Sequence, residues 1–372
     1  MTAPKARNTY GEGEVDRLIS QLVAAVGLDA NDDLIRRMIV TALDMDASEV
    51  ARLDLKIASQ SMVEMLNGYQ VFSQDPHRAK VTVFGSARTT PDAADYQLAV
   101  DFGRAMAAME WMVISGAGPG IMQAAIEGAG AENTYGVNIV LPFEQRAVDI
   151  IEGDPKLATF KYFFTRKLFF VKEADAFTLF PGGFGTLDEG FELLTLIQTG
   201  KSYPAPIVLL DHPGSTYWDG WKRFVADELE TAGMVSPVDK SLFLHTHDVG
   251  EAVRYISHFY SSFHSMRYVG KRLVIRLRHP LPEGAYATLN DEFSGIVATG
   301  TIAPAEATKT EIKDDDAPEL PRLAFTFDNR SFARLTEMIH RINDLGGEGF
   351  DEDVAPHDLV HDLEPDQENS FS

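Results

Sequence analysis

The chain has no cysteine. Disulfides and thiolate metal sites are excluded, and a cytoplasmic location is the expected one. It also lacks any apolar run near the roughly 20 residues of a membrane span. The start, Met1 to Glu14, has no apolar core of the kind a signal peptide carries. Positive charge is scarce, with 33 Lys and Arg against 56 Asp and Glu, a formal net charge of −23. Such a surface repels nucleic acid and anionic membranes, whose binding depends on phosphate neutralisation by Lys and Arg. A phosphorylated partner must therefore be small and held in a local pocket, against the field of the whole molecule. Two catalytic signatures are absent as well: the G-x-S-x-G elbow of α/β-hydrolases and the G-x-x-x-x-G-K phosphate loop.

What remains is ordinary globular material. The chain has 372 residues, 45% of them apolar, enough for two domains or one large domain with additions. Residues 14–77 show helical spacing, as in Val15, Leu18, Ile19 and Leu22. From Lys80 short apolar strands alternate with helices. Strands are expected at Val81–Phe84, Trp111–Ile114, Tyr135–Leu141, Ala176–Phe180 and Pro206–Leu210. Alternation of this kind predicts a doubly wound, Rossmann-like parallel sheet, an α/β fold. Ligands of such sheets sit beyond the carboxyl ends of the strands. Around Tyr268 the pattern changes to that of a small α+β module. The expected domains are thus a helical extension at 1–78, the α/β core at 79–265, the α+β module at 266–350 and a disordered tail at 351–372. That tail holds eight Asp or Glu and no Lys or Arg.

The stretch 181–189, Pro-Gly-Gly-Phe-Gly-Thr-Leu-Asp-Glu, joins a strand to a helix. Gly182, Gly183 and Gly185 remove Cβ atoms that would hold a ligand off the backbone. The first amides of the helix and its dipole favour an anion, and phosphate suits them. Glu189 has two readings. It can close a capping box with Thr186, or it can present a carboxylate to the bound molecule.

Two more strand ends carry glycine or serine: Gly85-Ser86, and Ser115-Gly116-Ala117-Gly118-Pro119-Gly120. The second differs from the dinucleotide fingerprint, because its glycines fall at 116, 118 and 120 and no acidic residue ends the next strand. A second phosphate or sugar cradle is the expected role, with a plain tight turn as the alternative. Arg166-Lys167 lies on a Phe-rich helix and suits a fork-shaped grip on phosphate or carboxylate, if it is not simply a surface pair. Glu144 follows a strand end and could reach the same crevice, or lie in a surface loop. His245 and His247 have ligand-like spacing, but no acid cluster or third His stands near them in sequence, so no metal site is expected.

Taken together, Gly85-Ser86, Ser115-Gly116-x-Gly118-x-x-Ile121-Met122, Arg166-Lys167 and Pro-Gly-Gly-x-Gly-Thr-x-x-Glu at 181–189 resemble the LOG ("Lonely Guy") family. Its members are phosphoribohydrolases long mislabelled as lysine decarboxylases. The likeness covers about residues 78–265. The loop after the second strand departs from the usual Ser-Gly-Gly-Gly, and Phe-Phe-Thr precedes Arg166 where plant members carry a Met-His pair. The flanking segments look more like those of the longer bacterial nucleotide nucleosidases. The resemblance implies hydrolysis of the N-glycosidic bond of a nucleoside 5′-monophosphate, giving free base and ribose 5-phosphate. It implies Glu189 and Arg166 as catalytic residues. Gly85, Ser86, Gly116, Gly118, Glu144, Lys167, Gly182, Gly183, Gly185 and Thr186 would bind an AMP-like substrate. No cofactor is implied, and a homodimer or larger homo-oligomer is. A module that binds a nucleotide or phosphorylated cofactor without turnover is the competing class, since fold does not dictate function.

Overall fold

The computed structural model describes residues 8–11, 13–27, 31–141 and 147–346. Glu144 and the tail at 351–372 lie outside the described residues. The chain divides into two units, residues 1–66 and 67–372. The first holds helices α1 (Glu14–Val26) and α2 (Asp32–Ala47) and most of α3 (Arg52–Phe72). Among the described residues no helix is long and apolar enough to cross a membrane.

The second unit opens with β1 (Lys80–Phe84), α4 (Ala94–Ala108), β2 (Met112–Ser115), α5 (Ile121–Ala129), β3 (Thr134–Ile139) and β4 (Leu157–Phe160). It continues with α6 (Phe163–Lys172), β5 (Ala176–Leu179), α7 (Phe184–Gln198), β6 (Ile207–Leu210), α8 (Tyr217–Phe224), β7 (Phe243–Thr246) and α9 (Val249–Phe259). The seven strands form a parallel sheet in the order β4-β3-β2-β1-β5-β6-β7. Both of its faces are covered, which explains the near-continuous apolar runs. Val81 and Val83 of β1 enter one core and Phe84 enters another with Met112, Ile114 and Leu179. This is the expected Rossmann-like sheet, with two more strands than the sequence pattern resolves. β4 and β7 are four residues each, with only part of their side chains buried.

The chain builds outward from β1 to β4, returns to β1's other side as β5, then builds outward again. Strand order therefore reverses between β1 and β5, and the ligand crevice of such a fold lies at that point. Loops 85–86 and 180–183 flank it. They are tied together where Ser86 N–H donates to the Pro181 carbonyl at 3.1 Å.

A four-stranded antiparallel sheet follows, in the order β10-β11-β9-β8. Its elements are β8 (Phe263–Val269), β9 (Arg272–Leu277), α10 (Ala285–Phe293), β10 (Val297–Ala305), α11 (Lys309–Asp314), β11 (Arg322–Phe327) and α12 (Phe332–Leu345). The domain boundary expected at 265–266 falls inside β8. One hydrophobic core runs from Val81 and Phe180 of the parallel sheet through Ile256 and Phe259 to Leu273, Phe325 and Leu335. The α+β segment is therefore packed onto the α/β core and shares its interior.

Candidate active site

The three loops that the sequence singles out meet at a cavity of about 1010 Å³. Its walls include Gly85, Ser86, Gly116, Gly118, Arg166, Gly182, Gly183, Gly185, Thr186 and Glu189. The fold places the cavity at the carboxyl ends of β1, β2 and β5.

α7 begins at Phe184, with Gly183 as its N-cap and no side chain capping it. Thr186 is the third helical residue and Glu189 lies almost a full turn further in. The capping box open to these two residues is not formed. The first amides of α7 face the cavity without side-chain partners, the arrangement that binds anions. The glycines divide the work. A Cβ on Gly182 would lie 2.1 Å from the Thr186 hydroxyl oxygen and 3.0 Å from the Ser86 nitrogen, so this glycine packs the loop. Gly183 and Gly185 face open space. Tyr217, at the start of α8, donates its hydroxyl to the Gly182 carbonyl at 2.7 Å and steadies the loop from outside.

Glu189 is buried, at 8% exposure. Burial raises its carboxyl from 4.5 to about 7, and Glu192 pushes the same way. Lys167 and Arg166 pull against the rise. Lys167 Nζ lies 2.8 Å from Asp188 Oδ2, 2.8 Å from Glu192 Oε2 and 3.4 Å from Glu189 Oε2. Lys167 is thus spent on three carboxylates of α7 and does not face the cavity, where the sequence reading put it. Adjacent residues on a helix point about 100° apart. Arg166 takes the other direction, into the cavity. Its Nε donates to the Val137 carbonyl at 2.8 Å and Nη2 reaches the Gly116 carbonyl at 3.4 Å. The guanidinium lies 4.8 Å above the centre of the Phe170 ring. Burial draws its pKa down to about 10, while the charge of Glu189 opposes the drop. Arg166 therefore stays cationic at neutral pH.

Gly116 is what admits Arg166. A Cβ there would lie 2.6 Å from Nη2 and 2.4 Å from the sulfur of Met122. Gly85 and Gly118 are close-packing positions too, against Ile121 and Met122. Ser86 accepts a hydrogen bond from the Arg88 amide at 3.0 Å. Further residues that the motifs did not flag also reach the cavity, among them Arg88, Asn138, Phe163 and Tyr217. Arg88 sits four residues past β1, a position where a phosphate-binding loop can supply a cation. The others carry no local sequence signal, because only the strand order brings them in.

A family model described as possible lysine decarboxylase matches residues 120–256, the stretch that carries Arg166 and the whole 181–189 loop. The core of this chain is thus similar to LOG-type proteins, as two named relatives show. A cytokinin riboside 5′-monophosphate phosphoribohydrolase of Mycobacterium tuberculosis is 29% identical over 178 residues, 47% of this chain and 91% of that protein. One from Arabidopsis thaliana is 32% identical over 98 residues, 26% of this chain. The chain spans only 43% of that plant protein's length. Among solved structures, a molybdenum cofactor carrier protein from Chlamydomonas reinhardtii is 21% identical, covering 48% of this chain and 96% of its own, with a TM-score of 0.33. The helical first unit and the antiparallel sheet lie outside the residues that the LOG family model matches.

Proposed function

We propose that this protein hydrolyses the N-glycosidic bond of a nucleoside 5′-monophosphate, releasing free base and ribose 5-phosphate. The observation that carries the reading is a buried carboxylate, Glu189, in the same cavity as an uncapped helix N-terminus. The open amides at Gly183, Gly185 and Thr186 hold the 5′-phosphate, and Arg88 adds charge at the rim. Phosphate held there fixes the ribose relative to Glu189. As the bond to the base breaks, C1′ gains oxocarbenium character, and a carboxylate in a water-poor site stabilises it strongly. With a pKa near neutrality, Glu189 is also suited to take a proton from the attacking water. Arg166, pinned by two carbonyls and a ring, orients the nucleotide and limits how far the Glu189 pKa rises.

The test is to incubate the full chain with AMP, GMP, CMP, UMP and a cytokinin riboside monophosphate, and to follow free base by chromatography. Base release from at least one is expected, with Glu189→Gln losing about a thousandfold in turnover while still binding nucleotide, the scale of a lost proton-transfer group plus charge stabilisation. Nucleotide binding by calorimetry without base release would replace this reading with that of a carrier or sensor.

We also propose a homodimer or larger homo-oligomer. Phe163, Phe164 and Phe184 are 53%, 58% and 95% exposed, on α6 and at the start of α7. Rings this exposed and this close to a site mark an interaction surface. Light scattering that returned a monomer mass at micromolar concentration would remove this part.

A further inference from the structure

We propose a second site, a mononuclear centre for a borderline divalent metal such as Zn2+, built from Asp211, His245 and His247. The sequence reading expected no metal here, because no acid cluster or third His stands near the two histidines. The sheet supplies a carboxylate. β6 and β7 are parallel neighbours, with Leu209 opposite His245 and Leu210 opposite Thr246. Asp211 follows β6 and so comes level with His247. One oxygen of Asp211 and one nitrogen of each imidazole lie within 4.8 Å of one another.

The distances suit a first coordination shell. Asp211 Oδ1 is 3.0 Å from His245 Nε2 and 2.8 Å from His247 Nδ1. Metal–ligand bonds of about 2.0–2.1 Å in a tetrahedron separate ligand atoms by about 3.3 Å. Each imidazole need move from the carboxylate by only a few tenths of an ångström. A carboxylate stands near the second nitrogen of His245, with Nδ1 3.7 Å from Asp219 Oδ1, just outside hydrogen-bond reach. Metal-bound imidazoles commonly give their second nitrogen to a carboxylate.

A second observation points to a cation. Asp211 is fully buried, and its Oδ2 has no hydrogen-bond partner. Both imidazoles approach the other oxygen. A buried carboxylate normally has its lone pairs filled, so hydrogen bonding alone leaves this group incomplete. A metal ion bound by the carboxylate compensates the buried charge that the two imidazoles leave. Two imidazoles and one carboxylate select Zn2+, Co2+ or Ni2+ over Mg2+ or Ca2+, which prefer all-oxygen sites.

The test uses the full chain, stripped with chelator and titrated with Zn2+ by calorimetry in excess Mg2+. The Mg2+ occupies exposed carboxylates of this acidic protein. One Zn2+ per chain is expected, and Co2+ should give the visible band of a four- or five-coordinate site. Asp211→Asn and His247→Ala should each weaken Zn2+ binding by about a hundredfold or more, beyond the loss typical of outer-shell partners. Asp315→Asn, a surface control, should not. Should Asp211→Asn fail to fold, His247→Ala still decides the matter, because its side chain is 39% exposed. Circular dichroism melts confirm the fold of each variant. No Zn2+ uptake by the wild-type chain, or undiminished uptake by folded His247→Ala, overturns the proposal. Base release from nucleotides is a separate measurement and bears on neither outcome.

Discussion

In the proposed reaction Glu189 combines a catalytic role with a cost in stability. Its carboxyl rises from 4.5 to about 7 on folding, first because it is buried. Between those values the native state holds the proton that the unfolded state has released, so this residue makes stability fall as pH rises through that window. Above about pH 7 the penalty is complete. Glu189→Gln should therefore be more stable than the wild type at pH 8, by on the order of 1–2 kcal/mol, and about equal to it at pH 4. Scanning calorimetry at the two pH values checks this, and a variant less stable at pH 8 contradicts it. Catalysis runs the other way. If the carboxylate is the working form, kcat/KM should rise about tenfold per pH unit below 7 and level off above it. A flat profile between pH 5 and 8 would mean that another group limits the reaction. Much of this residue's setting was legible in advance: the loop, the helix and the acid three positions past Thr186. The sequence could not show where the helix begins. Starting at Phe184, α7 leaves Thr186 too deep to cap, and Glu189 turns toward the cavity and Lys167.

At the scale of elements, the strand-end loops show glycine used for two purposes. Gly182 has no room for a side chain, whereas Gly183 faces space. Gly182→Ala must push Thr186 or the Ser86 backbone aside, so it should lower stability by about 1–3 kcal/mol, as overpacking does. Gly183→Ala should leave the melting temperature almost unchanged and raise KM for the monophosphate about tenfold, since the new methyl group stands where the phosphate approaches. Thermal melts beside steady-state kinetics separate the two, and identical behaviour of both variants would defeat the distinction. The glycines were plain in the sequence, but their division of labour was not, because it depends on how the loop folds against Thr186, four positions on, and Ser86, in another loop. The same limit hid β4 and β7. Each is four residues long, and β7, reading Phe-Leu-His-Thr, has a weak apolar signal. Missing β7 also hid the approach of His245 and His247 to Asp211, because a sheet neighbour 34 residues upstream leaves no mark on local spacing.

For the whole molecule, the question is whether the α/β core stands alone. The sequence drew a boundary at 265–266, where the strand and helix pattern changes. The interior crosses it. Phe259, Tyr260 and Phe263 share a cluster with Leu273, Ile275, Met338 and Ile342. Asn343 of α12 stitches the junction. Its Oδ1 accepts from the amides of Ser262 and Phe263 at 2.9 and 2.8 Å, and its Nδ2 donates to the Phe259 carbonyl at 2.5 Å. The Phe332 ring of α12 also lies against Gly200, just past α7. α12 thus touches both the helix that carries Glu189 and the end of α9. Removing residues 264–372 would expose this apolar surface to water, at about 25 cal/mol for each Å² uncovered. Few domains have that much stability to lose. The truncated chain should therefore be insoluble, or bind hydrophobic dye and melt without a sharp transition. A milder probe is Asn343→Ala, expected to cost about 2–4 kcal/mol while leaving the candidate cavity's own residues untouched. A truncated chain that melts cooperatively at the wild-type temperature would show the antiparallel sheet to be a separable module.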